Sequence, residues 1–271
     1  MRQSLLLNLR AVIGRAYPRI VGSNREPSWL FYDIALPLLS VTAFVFVYRT
    51  LDAPAEYTGF VILGGVMLAF WSNVLWAMGA QLFWEKQDGN LELYMMAPCS
   101  RIAILLGMAV GGLFATTIRA VVTTVVGVVV FGVVFNLSRW PMILLVFILT
   151  MIALYGMGML FASLFVMWGR EAWHINNLMM EPVNLASGMY FPVRAFGQAL
   201  GLAFSLIPLT PGLDAMRQLM FPGQQIGLVA VEYEIAILAV LAVLFPLLAV
   251  RALRYMERMA KIEGRLTLRW Q

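Results

Sequence analysis

Long apolar runs with almost no charged residues are the feature that most constrains how this chain can fold. Hydrophobic residues make up 62% of the sequence and charged residues 12%, against about 25% charged residues in an average soluble domain. A soluble globule of 271 residues cannot bury so much apolar surface, because the surface area falls too slowly with size. The composition therefore excludes a soluble enzyme and a disordered chain, and it favours a protein embedded in a membrane.

The apolar runs are continuous rather than alternating, which is typical of membrane helices and not of barrel strands. A helix needs roughly 20 residues to cross the hydrocarbon core. The sequence predicts an all-α membrane protein with six transmembrane helices, over residues 29–48, 59–84, 102–135, 141–168, 173–190 and 226–250. We therefore divide the chain into an interface helix with its linker (1–28), a transmembrane domain (29–250) and a basic cytoplasmic tail (251–271).

Two further apolar segments are too short or too interrupted to span. Residues 1–21 mix leucines with arginines, which predicts a basic amphipathic helix on the membrane surface. The region of about 192–222 has a short apolar core, and four prolines bracket and break it: Pro192, Pro208, Pro211 and Pro222. Because proline interrupts helices, this region predicts a re-entrant helical hairpin before the last span.

Lys and Arg residues are unevenly distributed between the two sides of the predicted membrane domain. If the N-terminus is cytoplasmic, that side carries most of the 19 Lys and Arg residues. The opposite side carries Arg49, Arg139, Arg194 and Arg217. The positive-inside rule then predicts a multi-pass protein of the cytoplasmic (plasma) membrane with both termini in the cytoplasm. The net charge of +5 indicates contact with anionic membrane lipid rather than with nucleic acid.

The sequence lacks the residues that metal sites and nucleotide-binding sites usually require. The single His excludes a metal site with two His ligands in one chain. No Gly-Lys dipeptide occurs, so the phosphate-binding loop G-x-x-x-x-G-K-[ST] is absent. We expect no catalytic residue, no metal and no cofactor on this chain. Uphill transport would then draw its energy from an ion gradient or from a partner protein.

A charged segment, about residues 86–100, connects the second and third predicted spans on the cytoplasmic side. An Asp-Gly turn at 88–89 precedes a short helical stretch over 91–96, which Pro98 ends. A short amphipathic helix parallel to the membrane can dock into a groove on a soluble partner. A solvated loop between two helices explains the same residues, so the pattern alone leaves both interpretations open.

Two parts of the sequence resemble the ATP-binding-cassette (ABC) type-2 permease family, the membrane subunits of a class of ABC exporters. The first is this cytoplasmic segment, with Glu85, Gly89, Leu91-Glu92, Ala97-Pro98 and Arg101. The second comprises Ser187-Gly188-Met189-Tyr190-Phe191-Pro192, then Pro208-Leu209-Thr210-Pro211, then Asp214 and Arg217. One departure is Met108, where the family often has a Lys.

The resemblance implies a half-transporter, that is, a membrane subunit without an ATPase domain of its own. Two permease copies, as a homodimer, would form the pore, and two soluble ABC ATPase subunits would bind the ATP and Mg. A coupling helix at about 86–100 would contact the ATPases. The implied ATPase-coupling residues are Glu85, Gly89, Leu91, Glu92, Leu93, Pro98 and Arg101. The implied activity is export of a hydrophobic or amphipathic substrate: a drug, lipid, lipid-linked glycan or polysaccharide.

Two polar features inside the predicted spans are candidates for the translocation path. Arg119 lies in the third span, where it either forms a structural ion pair or lines a pore. Asn177, Glu181 and Asn184 share one face of the fifth span, as the wall of a path or as partners in interhelical hydrogen bonds. An alternative function is an ion-coupled secondary transporter that uses Glu181 and Arg119. A non-transporting membrane scaffold is a third hypothesis.

Overall fold

A computed structural model describes residues 2–25, 27–168, 172–222 and 227–263, and its regular elements are helical. The helices are α1 (Arg2–Arg25), α2 (Pro27–Thr50), α3 (Glu56–Ser72), α4 (Gln81–Gln87), α5 (Asn90–Met96), α6 (Arg101–Phe131), α7 (Trp140–Trp168), α8 (Ala172–Ala186), α9 (Gln198–Phe204), α10 (Leu209–Met220) and α11 (Val231–Glu263). A π-helical turn, Asn73–Gly79, joins α3 to α4, and a 3-10 turn, Val193–Phe196, precedes α9. The predicted start of the last span at residue 226 and the end of the basic tail, 264–271, lie outside the described residues.

Four helices of the described chain are long and apolar enough to cross a membrane. They are Glu56–Gln87, which runs through the π-helical turn, Arg101–Phe131, Trp140–Ser163 and Val231–Met256. These helices correspond to the second, third, fourth and sixth predicted spans, so the all-helical membrane architecture is confirmed at this level.

The other two predicted spans are helical but shorter. The apolar part of α2 is Ile34–Thr50, and α8 has 15 residues. α8 ends early because the chain turns at Gly188, whose φ of 64° lies in the left-handed region that glycine tolerates best. A count of six spans therefore stays a prediction.

The core is formed where α3 and the π-helical turn pack against α6 and α7, with α11 along α7. Small residues bring these helices together, as is common in membrane bundles. A Cβ atom on Gly156 would lie 2.7 Å from Cδ of Pro246, and one on Gly158 would lie 2.7 Å from a methyl group of Val74. The close contact of these helices therefore depends on glycine, which has no side chain, at both positions.

Helix α1 packs along the first part of α6 and runs in the same direction. The side-chain oxygen of Asn8 accepts a hydrogen bond of 2.8 Å from the backbone N–H of Ser100, just before α6. Further along, a Cβ atom on Gly107 would lie 2.7 Å from the carbonyl oxygen of Val12. The sequence predicts the α1 helix correctly, and its position on a membrane surface stays a prediction.

We expect Gly107→Ala to destabilise the packing of α1 on α6. The added methyl group would force the two backbones apart, and overpacking of this kind costs about 1–3 kcal/mol. The measurement is thermal unfolding of the purified chain in detergent, followed by tryptophan fluorescence. Gly14→Ala is the matched control, because a Cβ atom there meets nothing within 4 Å and should stabilise α1 slightly. Equal melting temperatures for the two variants would contradict the packing argument.

The two ends of the bundle carry different parts of the chain. At one end, Tyr94 and Arg101 line a small gap together with Leu253 and Met256 near the C-terminal end of α11. α1 and α5 belong to this end as well, because Arg15 contacts Tyr94. At the other end, the chain segments around Asp52, Gly132 and Phe221 surround a cavity of about 490 Å³. The assignment of these two ends to the two sides of the membrane stays a prediction.

The segment before the last span forms two short helices, α9 and α10, bent by 114° relative to each other. Pro208 is the N-cap residue of α10, Pro211 lies in its first turn, and Pro192 precedes the 3-10 turn. This geometry suits a broken span or a re-entrant loop. α10 is buried along most of its length, including Asp214 and Arg217, so this segment is an internal part of the bundle.

Candidate functional site

The short helix α5 presents apolar side chains at the end of the bundle that also holds α1. Gly89 is its N-cap residue and has a φ of 77°, which lets the chain turn sharply after α4. Leu93 is 59% exposed and Met96 is 74% exposed. Exposed apolar side chains on a helix outside the spans are candidates for contact with another protein or with the membrane surface.

Glu85 joins three helices beneath this surface. Its carboxylate forms an ion pair with Arg15 of α1. It also accepts a hydrogen bond of 2.8 Å from Gln81 in α4 and one of 3.1 Å from the hydroxyl group of Tyr94 in α5. Burial raises the pKa of Tyr94 to about 12, with the Arg15 charge acting to lower it and Glu85 to raise it. Tyr94 therefore keeps its donating proton at neutral pH.

The predicted coupling residues divide into an internal and an external set. Glu85 is buried, and Arg101 is half-buried beside α11. Leu93 and Pro98 are exposed. The side chains of Leu91 and Glu92 lie outside the described residues. Glu85 thus links its own helix, α4, to α1 through Arg15 and to α5 through Tyr94.

The polar residues predicted to form one stripe on the fifth span also include both exposed and buried side chains. Asn177 and Glu181 lie on the exposed face of α8, with the exposed leucines Leu178 and Leu185 beside them. Asn184 is buried, and its side-chain oxygen accepts no hydrogen bond from the described part of the chain. A carboxylate and an amide on this exposed face do not suit lipid. This face therefore suits water or another protein.

Arg119 is half-buried and lines a cavity of about 440 Å³ between α1, α4 and α6. Two arginines of α1 and the carboxylate of Glu85 line the same cavity. Asn73, at the start of the π-helical turn, also lines it, and the side-chain oxygen of Asn73 accepts a hydrogen bond of 3.1 Å from Tyr155. Sequence reasoning placed Arg119 in the third span but missed its neighbours on α1.

The comparisons with known proteins agree with this architecture. A family model described as "ABC-2 type transporter" matches residues 20–221. The match covers most of the chain, so the chain belongs to the ABC-2 type transporter family, and the resemblance of its motifs is confirmed. It is a multi-pass membrane permease component. A comparison with curated proteins returned no significant match.

Proposed function

We propose that this chain is the permease subunit of an ATP-driven ABC exporter and that a separate soluble ATPase powers it. The observation that carries the proposal is the exposed apolar surface of α5, Leu93 and Met96, in a chain of the ABC-2 family. Glu85 of α4 forms an ion pair with Arg15 of α1 and accepts a hydrogen bond from Tyr94 of α5. Closure of an ATPase dimer on ATP and Mg would therefore move three helices together.

The proposed complex contains two permease copies and two ATPase subunits. The exposed face of α8 supports a second copy, because Glu181 and Asn177 need water or protein opposite them. Placing this face toward the partner copy would give a central path with a carboxylate and an amide on its wall. The exposed leucines Leu178 and Leu185 on the same face favour a hydrophobic or amphipathic substrate.

The proposed location is the plasma membrane, with α1, α5 and the C-terminal end of α11 in or near the cytoplasm. The distribution of Lys and Arg supports this orientation. This orientation puts α5 where a cytoplasmic ATPase can reach it. The outward direction of transport is proposed from the resemblance to ABC exporters.

Affinity purification of the tagged chain from its native membranes tests the proposal. We expect a soluble protein with a phosphate-binding loop to co-purify in equal amount and the purified chain alone to hydrolyse no ATP. Transport by the reconstituted chain alone, driven by a proton gradient, would contradict the proposal and favour the secondary transporter.

Glu181→Gln should reduce transport by the reconstituted complex about tenfold or more while assembly with the ATPase is retained. The reason is that Glu181 is exposed on α8, where its charge would face the proposed path, and that the Gln side chain keeps nearly the same shape. The measurement is substrate-stimulated ATPase activity together with the yield of complex. Leu185→Gln is the control for a change of polarity on the same face. Full activity of Glu181→Gln would show that this carboxylate has no role in the proposed translocation path.

A further inference from the structure

The cavity at the end of the bundle opposite α5 has no role in the function proposed above. It has a volume of about 490 Å³ and lies where α2 ends, α3 begins and α6 ends. Its apolar part contains the buried side chains of Val133 and Phe221, and its charged part contains Arg49, Asp52 and Glu56. This volume falls within the range of small-molecule sites. The cavity therefore has the size and the mixed lining of a site for an amphipathic ligand.

The charged part of the cavity contains more carboxylates than cations. Neither Asp52 nor Glu56 forms an ion pair or a side-chain hydrogen bond within the described part of the chain. Arg49 is held beside Phe131, because its guanidinium group contacts the Phe131 carbonyl oxygen at 3.5 Å and lies 5.8 Å from the centre of the Phe131 ring. Two carboxylates and one arginine thus line the cavity, and the excess of negative charge favours a ligand with a cationic group.

The hydroxyl group of Thr58 is a second, independent indication of a ligand. Thr58 is 7% exposed and lines the cavity, yet its hydroxyl group forms no hydrogen bond with the described residues. A helical threonine often donates to the carbonyl oxygen four residues earlier, as Thr50 does to Phe46 at 2.8 Å. A buried hydroxyl group without a partner is unfavourable. Thr58 can therefore bond to a polar group that enters the cavity.

The cavity lies at the level of the lipid headgroups. Two helices that are long and apolar enough to cross the membrane, Glu56–Gln87 and Arg101–Phe131, each have an end residue on the cavity wall, Glu56 and Phe131. Because spanning helices end near the boundary between hydrocarbon and headgroups, a lipid can place its headgroup in the cavity and its acyl chains beside the helices. Aromatic rings such as those of Phe131 and Phe221 also attract ammonium groups to their faces.

We propose that this cavity binds a phosphoethanolamine group, that is, a primary ammonium group next to a phosphate. The ammonium group has three N–H donors, and the cavity wall offers it the carboxylates of Asp52 and Glu56 and the hydroxyl group of Thr58. Arg49 lies on the same wall and supplies the positive charge that pairs with the phosphate. None of the described lining residues belongs to α5 or α8, so the site does not depend on the proposed function.

Native mass spectrometry of the full chain in neutral detergent tests the proposal. The probes are phosphatidylethanolamine, phosphatidylglycerol, which has no ammonium group, and soluble phosphoethanolamine. We expect phosphatidylethanolamine to bind at one site per chain and phosphatidylglycerol to bind more weakly. Asp52→Asn and Glu56→Gln should each weaken phosphatidylethanolamine binding about tenfold.

The two variants are chosen so that the fold is retained. Asp52 has a φ of 50°, and Asn tolerates this left-handed conformation as Asp does. Glu232→Gln is the matched control, because Glu232, like Glu56, lies in the first turn of a spanning helix but is not among the residues that line the cavity. The control should bind phosphatidylethanolamine as the unmodified chain does.

Soluble phosphoethanolamine distinguishes the two sources of the ligand. Displacement of phosphatidylethanolamine by an excess of it would support a site that takes the soluble group as well. Retention of the lipid under the same conditions would support a site for the lipid headgroup. Equal binding of the two lipids, or unchanged binding in both Asp52→Asn and Glu56→Gln, would overturn the proposal.

Ala55→Lys keeps the test valid if a carboxylate variant fails to fold. Ala55 is exposed and lines the cavity, so a lysine there brings its own ammonium group to the carboxylates without entering the core. We expect this variant to melt at an equal or higher temperature and to lose phosphatidylethanolamine binding, because the lysine takes the place of the ligand. A folded Ala55→Lys variant that binds phosphatidylethanolamine normally would contradict the proposal.

Discussion

Arg217→Met is expected to prevent the chain from reaching a stable fold. Arg217 is 1% exposed, and its guanidinium group donates hydrogen bonds to the carbonyl oxygens of Gly188 and Met189, both at 2.6 Å, and of Phe60 at 3.1 Å. These bonds tie α10 to the turn after α8 and to the start of α3. Loss of hydrogen bonds from a charged donor, with buried carbonyl groups left behind, should cost more than about 3 kcal/mol. The measurement is the yield of monodisperse protein and its melting temperature in detergent.

The control for this prediction is Arg194→Met, which removes an arginine from an exposed position of the same region. It should leave the yield and the melting temperature nearly unchanged. Arg217→Lys is informative as well, because an ammonium group keeps the charge but cannot reach acceptors spread over two segments. A melting temperature of Arg217→Met equal to that of Arg194→Met would show that these bonds do not stabilise the fold.

The membrane architecture was largely predictable because its cause is local in the sequence. An apolar run of sufficient length specifies a helix in lipid whatever its neighbours are. The third and fourth predicted spans accordingly lie close to the bounds of α6 and α7. The fifth predicted span was less well placed, because it includes Gly188, where the positive φ turns the chain toward Arg217.

The contacts of the candidate site were not predictable, because they join residues far apart in the chain. Arg15 and Glu85 are 70 positions apart, and nothing in either segment specifies the other. The sequence pattern gave no partner for Arg217, whereas its guanidinium group donates hydrogen bonds to the carbonyl oxygens of Gly188 and Met189. The small residues Gly107 and Gly111 on α6 are the one signal in the sequence that another helix packs there.

The sequence was sufficient to predict that the exposed part of the site is a short separate helix. The break after α4 and the stop at Pro98 isolate a short helix, and the family resemblance assigns it a coupling role. Sequence reasoning placed Glu85 and Leu93 in one coupling segment. The structure separates them, since Glu85 is buried among three helices and Leu93 is 59% exposed. Of these two residues, Leu93 is the one that is exposed to a partner.

Leu93→Arg is expected to uncouple the permease from its proposed ATPase while the permease itself folds normally. Leu93 is exposed on α5, so arginine there is solvated in the free chain and has no cost for folding. In the complex, the charge would be buried in an apolar contact without a partner. A loss of about 2 kcal/mol or more is typical of a central interface residue, which corresponds to about 30-fold weaker binding. The measurement is the amount of ATPase that co-purifies and the ATPase activity that transport substrate stimulates.

Leu137→Arg is the matched control, because Leu137 is also 59% exposed and lies between α6 and α7, near the segment at which α10 ends. That end of the bundle is the one opposite α5. Since an ATPase acts from one side of the membrane only, the control should assemble and hydrolyse ATP as the unmodified complex does. If both leucine variants lose the ATPase equally, the cause is a general defect of the permease. If Leu93→Arg keeps full coupling, the apolar surface of α5 is not the contact through which this permease is driven.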